Sequence, residues 1–291
     1  MANLGFVGLG VMGYPMAGHL QKKGDQAVTV FNRSGEKAAR WAGEFGGCAA
    51  ATPRAAAQHA DFVLLCVGND DDVRSVVYGA DGALAGMRPG SILIDHTTAS
   101  ARLARELHAK CAEKRVGFID APVSGGQAGA QNAQLGIMCG GDATDFERAR
   151  PVLDVYAKMC SLIGGPGAGQ LTKMVNQIAI AGLLQGLAEA LNFGRHAGLD
   201  IEKVIGVISK GAAQSWQMDN RWKAMNEVKF DGFGFAVDWM RKDLGICLNE
   251  AAVNGVRLPV TALIDQFYAH VQARGGPRWD TSSLMHLLAK D

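Results

Sequence analysis

Lys173 and Asn176 stand three residues apart in GAGQLTKMVNQIAIAGLLQGLAEALNFG, a stretch that reads as one long apolar helix. Between Gly167 and Ala188 that lysine is the only charged residue. Three residues is close to one helical turn, so the two side chains share a face. An amine can exchange a proton with a substrate hydroxyl, and a carboxamide can orient that hydroxyl or the matching carbonyl. A free lysine, at pKa ~10.4, holds its proton too tightly for efficient exchange near neutrality, but burial and a nearby cation both lower that value. A lone lysine in a helix built for burial is therefore poised for acid/base work. The competing reading is an amphipathic lysine that snorkels to solvent from the helix's first turns.

Oxidising an alcohol needs a hydride acceptor beside the base. The stretch GFVGLGVMGYPM places Gly8, Gly10 and Gly13 in GxGxxG spacing, between a strand and a helix expected over Val11 to Lys23. The spacing alone is weak evidence, but strand, glycine turn, helix and second strand together form a dinucleotide-binding fingerprint. Gly8 permits the turn, Gly10 lets backbone approach a pyrophosphate, and Gly13 lets helix and strand pack closely. Leu9, Val11 and Met12 complete the turn, whose free N–H groups and helix dipole favour an anion.

The end of the second strand selects the cofactor. NAD sites hold the ribose with an Asp or Glu about 20 residues beyond the glycines. Here that place reads Phe31-Asn32-Arg33-Ser34, with no carboxylate. Arg33 can bind a 2′-phosphate through a charge-assisted contact, and Ser34 can add a hydrogen bond. These residues favour NADP over NAD; the alternative is a solvated arginine after a strand.

The run Ser124-Gly125-Gly126 follows a strand and offers a hydroxyl and unhindered N–H groups suited to a carboxylate. The seven histidines show no HExxH or paired metal spacing, so no metal site is expected, and no GxSxG appears. His96 adjoins Thr97 but is read as a packing or surface residue. Trp216, Phe233 and Trp239 can wall a substrate pocket, although such aromatics are more often core.

The elements that must position these groups fall into two regimes. From Asn3 to about Ile163, apolar β-rich runs (LGFVG, AVTVFN, DFVLLCV, SILID, GFIDA, LGIMCG, SLIG) alternate with helical patterns such as Ala101 to Glu113 and Asp142 to Tyr156. This alternation predicts an α/β fold with a doubly wound, mostly parallel Rossmann-type sheet. After Gly169 only helices follow: the long one, then Ile201 to Ser209, Gln217 to Met225, Asp238 to Val253 and Pro259 to Ala273. The expected division is residues 1–163 for dinucleotide binding and 164–291 for an all-helical substrate and oligomerisation domain, joined by the long helix.

The 291 residues suffice for two domains, and 48% are hydrophobic. A net charge of +1 without a basic run excludes nucleic acid as the obvious partner. The longest apolar run in the central helix, IAIAGLL, is short for a membrane span, and MANLGFVGLG reads as a first strand, not a signal peptide. Six cysteines without CxxC spacing suggest reduced thiols and a cytoplasmic location.

With Asp95-His96-Thr97-Thr98, Asp120-Ala121-Pro122-Val123-Ser124-Gly125-Gly126, Gly167-Ala168-Gly169 with Lys173 and Asn176, Lys242-Asp243-Leu244 and Asp280-Thr281-Ser282-Ser283, the whole chain resembles a β-hydroxyacid dehydrogenase of the 3-hydroxyisobutyrate and tartronate semialdehyde (2-hydroxy-3-oxopropionate) reductase kind. The resemblance implies that Lys173 is the catalytic acid/base. It implies that Ser124, Gly125, Gly126 and Asn176 hold the substrate, and that Val67, Thr97 and Lys242 line the cofactor beside the glycine turn, Asn32, Arg33 and Ser34. It also implies a homodimer or homotetramer. Asn176-Gln177 looks like the tartronate semialdehyde branch; Phe230 to Asp238 matches no substrate signature. The expected function is hydride transfer between NADP(H) and a small β-hydroxy acid or semialdehyde. The alternatives are an NAD-preferring 3-hydroxyisobutyrate or serine dehydrogenase and a non-catalytic dinucleotide-binding protein.

Overall fold

A computed structural model of the chain describes residues 2–23 and 27–288, so positions 1, 24–26 and 289–291 of the expected domains lie outside it. Nine strands form one sheet among these residues: β1 (Asn3–Val7), β2 (Ala27–Phe31), β3 (Cys48–Ala49), β4 (Phe62–Leu65), β5 (Ile92–Asp95), β6 (Gly117–Asp120), β7 (Val123–Ser124), β8 (Leu135–Gly141) and β9 (Ala157–Gly164). Their order is β3-β2-β1-β4-β5-β6-β8-β7, with β9 paired to β8. The first six are parallel in the order of the dinucleotide-binding Rossmann fold. β8 runs antiparallel to β6 and β7, and parallel to β9.

The reason the central strands are apolar along most of their length is visible in their alternation. Phe6, Leu64 and Ile94 enter one buried cluster with Leu20 and Trp41. Val7, Val63, Leu65 and Leu93 point the other way, into a cluster with Leu103 and Leu107. Successive strand residues face opposite sides, so a sheet covered twice needs apolar residues at every position. The helix Ala101–Glu113 supplies Leu103 and Leu107 at i, i+4, and Ser100 caps it by accepting from Leu103 N at 3.0 Å.

Regular helix after the glycine turn runs Gly13–Lys23. The bond from Tyr14 N to Gly10 O, at 3.1 Å, puts residues 11 and 12 in its first turn. The two-residue strands β3 and β7, and the helices Pro53–Ala57, Asp70–Val77, Ala83–Gly86 and Gly126–Gln131, are too short to show a period in sequence.

The chain divides into two compact units, Met1–Lys173 and Met174–Asp291. The second unit is helical: the remainder of Ala168–His196, then Ile201–Ile208, Trp216–Glu227, Val237–Asn254, Pro259–Ala273 and a 3₁₀ turn at Thr281–Leu287. Ala181, Leu184, Ala188 and Leu191 form the buried stripe of the long helix and pack with Ile205, Met240 and Tyr268. Asp200 and Ser215 cap the second and third helices at Lys203 N and Met218 N. Buried Asp280 caps the 3₁₀ turn, accepting from Ser282 N and Phe235 N and pairing with Arg221 at 3.0 Å. Ala168–His196 is, by length and composition, apolar enough to cross a membrane, which the short run IAIAGLL understates. Its buried stripe is that of a core helix.

Candidate functional site

The glycine turn closes at the C-terminal end of β1, where β2 lies to one side and β4 to the other. Ligands of open α/β sheets bind at such a switch point. Gly8 adopts φ +98°, and a Cβ there would collide with the Cys66 carbonyl. A Cβ on Gly13 would strike the Gly8 carbonyl oxygen, so only glycine lets the helix start this close to the strand. Gly10 and Val11 are exposed, and a Cβ on Gly10 would meet nothing within 4 Å. The turn thus presents open backbone with the N–H groups of a helix start, which fits a pyrophosphate. Leu9 is buried and Met12 half-buried.

Asn32 braces the turn: its Oδ1 accepts from Leu9 N at 3.0 Å and its Nδ2 donates to Ser34 O at 3.2 Å. Arg33 and Ser34 are exposed beyond β2. Ser34 is the N-cap of Gly35–Phe45, yet its hydroxyl makes no capping bond. Glu36 is the acidic residue of that helix's first turn.

A second polar group gathers at the ends of β4, β5 and β6. Thr97 Oγ1 accepts from Val67 N at 3.1 Å, and Thr97 N donates to Asp95 Oδ1 at 2.9 Å. Asp95 is buried, which pushes its carboxyl up to about 7, with neighbouring Asp120 adding to the rise. Gln170 Nε2 donates to Thr97 O at 2.7 Å, and Ala99 N donates to Gln170 Oε1 at 3.0 Å. Asp120 accepts from Gly167 N at 2.8 Å and Gln170 N at 2.9 Å. Its burial raises its carboxyl to about 6 against the lowering by these N–H groups. Gly169 permits this seat, since a Cβ there would lie 2.6 Å from the Asp120 carbonyl oxygen. Lys173, one turn past Gln170, is buried.

Ser124 ends β7, and Gly125 and Gly126, at φ +127° and +61°, open the helix Gly126–Gln131. The hydroxyl and turn expected of these residues are therefore at a strand-to-helix junction, half-buried to exposed.

In the second unit, Asn176 Nδ2 donates to Gln177 Oε1 at 2.8 Å, and Gln177 Nε2 donates to Asp243 Oδ2 at 2.6 Å. Lys242 Nζ lies 3.0 Å from Asp243 Oδ1. Asn176 and Lys242 are thus linked through two buried polar residues. Trp216, Phe233 and Trp239 are exposed rather than core; the first two flank the Arg221 guanidinium at 5.2 and 5.4 Å. His96 is buried, bonded to Ala121 O at 2.7 Å and Tyr156 OH at 2.8 Å, and burial lowers it to about 4. It is a neutral packing residue. Gln170 and Arg221 escaped the sequence reading, and Asp95 and Gln177 were read as parts of motifs without a role of their own. The one signal for the glutamines was polarity in an apolar helix, Gln170 directly after Gly169 and Gln177 four residues after Lys173.

Fold and turn define a dinucleotide-binding protein with a helical second unit. Residues 3–164 match the NAD binding domain of 6-phosphogluconate dehydrogenase, and residues 167–288 match the family described as NAD-binding of NADP-dependent 3-hydroxyisobutyrate dehydrogenase. An uncharacterised oxidoreductase of Shewanella frigidimarina is 60% identical over 290 residues, covering 100% of this chain and 99% of that one. The 2-hydroxy-3-oxopropionate reductase of Escherichia coli is 32% identical, over 98% and 96% of the two chains. The structure of Mycobacterium tuberculosis 3-hydroxyisobutyrate dehydrogenase with L-serine superposes with a TM-score of 0.90 at 31% identity, covering both chains completely. The chain belongs to the β-hydroxyacid dehydrogenase family and is an NAD(P)-dependent oxidoreductase acting on CH–OH groups of small hydroxy acids.

Proposed function

We propose that the chain interconverts a small semialdehyde and its β-hydroxy acid, with NADP(H) as the preferred cofactor and Lys173 as the proton carrier. The observation that carries this reading is a buried lysine, alone in charge from Gly167 to Ala188, one turn beyond a helix root bonded to Asp120 and to the Thr97 loop. When bound, the nicotinamide supplies the hydride acceptor or donor. Gly8 to Gly13 hold its pyrophosphate, Asn32 braces that turn, and Val67, Thr97 and Lys242 line the remainder. In reduction, Lys173 Nζ gives its proton to the aldehyde oxygen; in oxidation it takes the hydroxyl proton. Ser124, Gly125 and Gly126 anchor the carboxylate, and Asn176 orients the reacting oxygen.

Arg33 and the uncommitted Ser34 hydroxyl, with no carboxylate at the end of β2, support NADP. The Asn176-Gln177 pair and the Escherichia coli relative support 2-hydroxy-3-oxopropionate as a first substrate to assay. A second reading, an NAD-linked 3-hydroxyisobutyrate or serine dehydrogenase, is favoured by Glu36 beside Arg33 and by the Mycobacterium tuberculosis structure with L-serine. The exposed apolar stripe Val175, Ala179, Leu183, Gly186, Ala190 and Phe193 supports a homodimer or homotetramer. Six cysteines without CxxC spacing support a reducing, cytoplasmic setting.

The deciding experiment follows absorbance of NADPH and NADH with 2-hydroxy-3-oxopropionate, methylmalonate semialdehyde, 3-hydroxyisobutyrate and serine. Faster turnover of 2-hydroxy-3-oxopropionate with NADPH upholds the proposal. Preference for NAD+ with 3-hydroxyisobutyrate or serine upholds the second reading. Silence with every pair, despite cofactor binding, leaves a non-catalytic binding protein.

A further inference from the structure

We propose that Gln170 is a positioning residue for this reaction: it fixes the Thr97 loop against the helix turn that carries Lys173. The inference rests on the assignment of Lys173 as proton carrier. Gln170 is buried at 1% exposure, and its carboxamide N–H, its carboxamide oxygen and its backbone N–H all bond other elements. Its side chain donates to Thr97 O at 2.7 Å and accepts from Ala99 N at 3.0 Å, so it completes the backbone of the loop after β5 as a neighbouring strand would. Its own N–H donates to Asp120 at the end of β6. Thr97 is held from two further sides, by Asp95 Oδ1 at its N–H and by Val67 N at its hydroxyl. The ends of β5 and β6 and the helix root therefore meet at Gln170, and the end of β4 joins them through the Thr97 hydroxyl. Lys173 follows it by three residues, nearly a full turn, so displacement of the Gln170 backbone carries Lys173 with it. A carboxamide suits this place because it donates and accepts without charge. Leucine fills the volume and leaves Thr97 O and Ala99 N unpaired.

Glutamate separates a positioning role from a merely structural one. Its protonated form donates to Thr97 O and accepts from Ala99 N, reproducing both bonds; its ionised form sets a negative charge against a carbonyl oxygen. Burial favours the protonated form, so acid pH restores the native pattern. The test uses full-length protein, NADPH and 2-hydroxy-3-oxopropionate, or whichever substrate of the panel above turns over fastest. Thermal unfolding is followed at each pH, and kcat is divided by the wild-type value at that pH. In Gln170→Leu, kcat should fall roughly 10- to 100-fold, the scale of a misplaced reacting group, with a smaller change in KM. In Gln170→Glu the ratio should be near one at acid pH and fall as pH rises, while the protein stays folded. A folded Gln170→Leu within about twofold of wild-type kcat, or a pH-independent ratio in Gln170→Glu, overturns the proposal. A Gln170→Glu chain that is unfolded even at acid pH makes the role structural and overturns it too. Lys173→Met assayed in parallel distinguishes the two claims. An inactive Lys173→Met with a folded Gln170→Leu near wild-type kcat removes this inference alone, whereas an active Lys173→Met removes the lysine assignment beneath it.

Discussion

Asp120 Oδ2 accepts from the backbone N–H of Gln170 at 2.9 Å, and Oδ1 of the same carboxylate accepts from Gly167 N at 2.8 Å. The last residue of β6 thereby caps the 29-residue helix Ala168–His196 across some fifty positions of sequence. Two amides that have no intrahelical partner are satisfied by one buried carboxylate. Asp120→Ala leaves both unpaired and opens a cavity beside Gly140 and Gly169, and should lower unfolding free energy by about 2–4 kcal/mol. Asp120→Asn keeps one acceptor and should cost less. Urea denaturation of the three proteins checks this order, and equal midpoints for Ala and wild type would contradict it.

Asp95 and Asp120 are neighbours across β5 and β6, both buried, with carboxyls raised to about 7 and about 6. Both values exceed the unfolded 3.8, so the folded chain holds more protons than the unfolded chain between roughly pH 4 and 7. Stability from these two groups is therefore full below about pH 4 and declines as pH rises through 6 and 7. One such group contributes a slope of at most ~1.4 kcal/mol per pH unit. Asp95→Asn keeps an acceptor for Thr97 N and removes the titration. Its unfolding free energy should fall less steeply than wild type between about pH 4 and 7; parallel curves would mean that Asp95 is ionised throughout that range.

The sequence made some of this legible and hid the rest for a physical reason. Gly8, Gly10 and Gly13 could be read because one turn uses all three within six residues, and Lys173 because a single charge stands out in an apolar helix. The strand β4 declared itself by being apolar at every position, and β1 and β5 by being apolar at all but one end residue, Asn3 and Asp95. The bonds that organise the site were invisible: Gln170 to Thr97 spans 73 residues and Gln177 to Asp243 spans 66, so no local pattern encodes either. Trp216 and Phe233 misled in the other direction, since their aromatic character suggested core while the fold leaves them exposed around Arg221.

Arg33 should set cofactor choice. It is exposed at the end of β2, beside a Ser34 hydroxyl that caps no amide, with the opposing charge of Glu36 in the next turn. Arg33→Asp places a carboxylate where NAD sites keep theirs and repels a 2′-phosphate. The dissociation constant for NADPH should rise roughly 10- to 100-fold, the scale of one charge-assisted contact, while that for NADH holds or falls. Fluorescence titration with both cofactors measures the ratio; an unchanged ratio would sink the NADP assignment.

The long helix carries a second apolar face. Val175, Ala179, Leu183, Gly186, Ala190 and Phe193 recur at three- and four-residue spacing opposite the buried stripe, and Phe193 is 73% exposed. A face of this kind in water calls for cover, and a second copy of the chain offers a matching one. Light scattering should give the mass of a dimer or tetramer at micromolar concentration. Replacing Leu183 and Phe193 together by Glu should lower that mass; a wild-type monomer across the same range would remove the claim.

Lys173 should carry chemistry and contribute little to the fold. Lys173→Met keeps the length and apolar stem of the side chain and removes the amine. Folding should survive, because burying an amine is costlier than burying a thioether. Cofactor binding should survive as well, because the glycine turn that receives the pyrophosphate lies at Gly8 to Gly13 and is built by β1, Asn32 and the Gly13–Lys23 helix. Turnover should drop by roughly 10²–10⁴-fold, the usual weight of general acid–base catalysis. A packing defect would lower the rate at every pH by the same factor. Loss of the proton carrier instead removes a step: wild-type oxidation should rise with pH as the amine gives up its proton, and the residual rate of Lys173→Met should lack that rise. If the variant keeps most of its activity and the same pH-dependent rise, another group moves the proton.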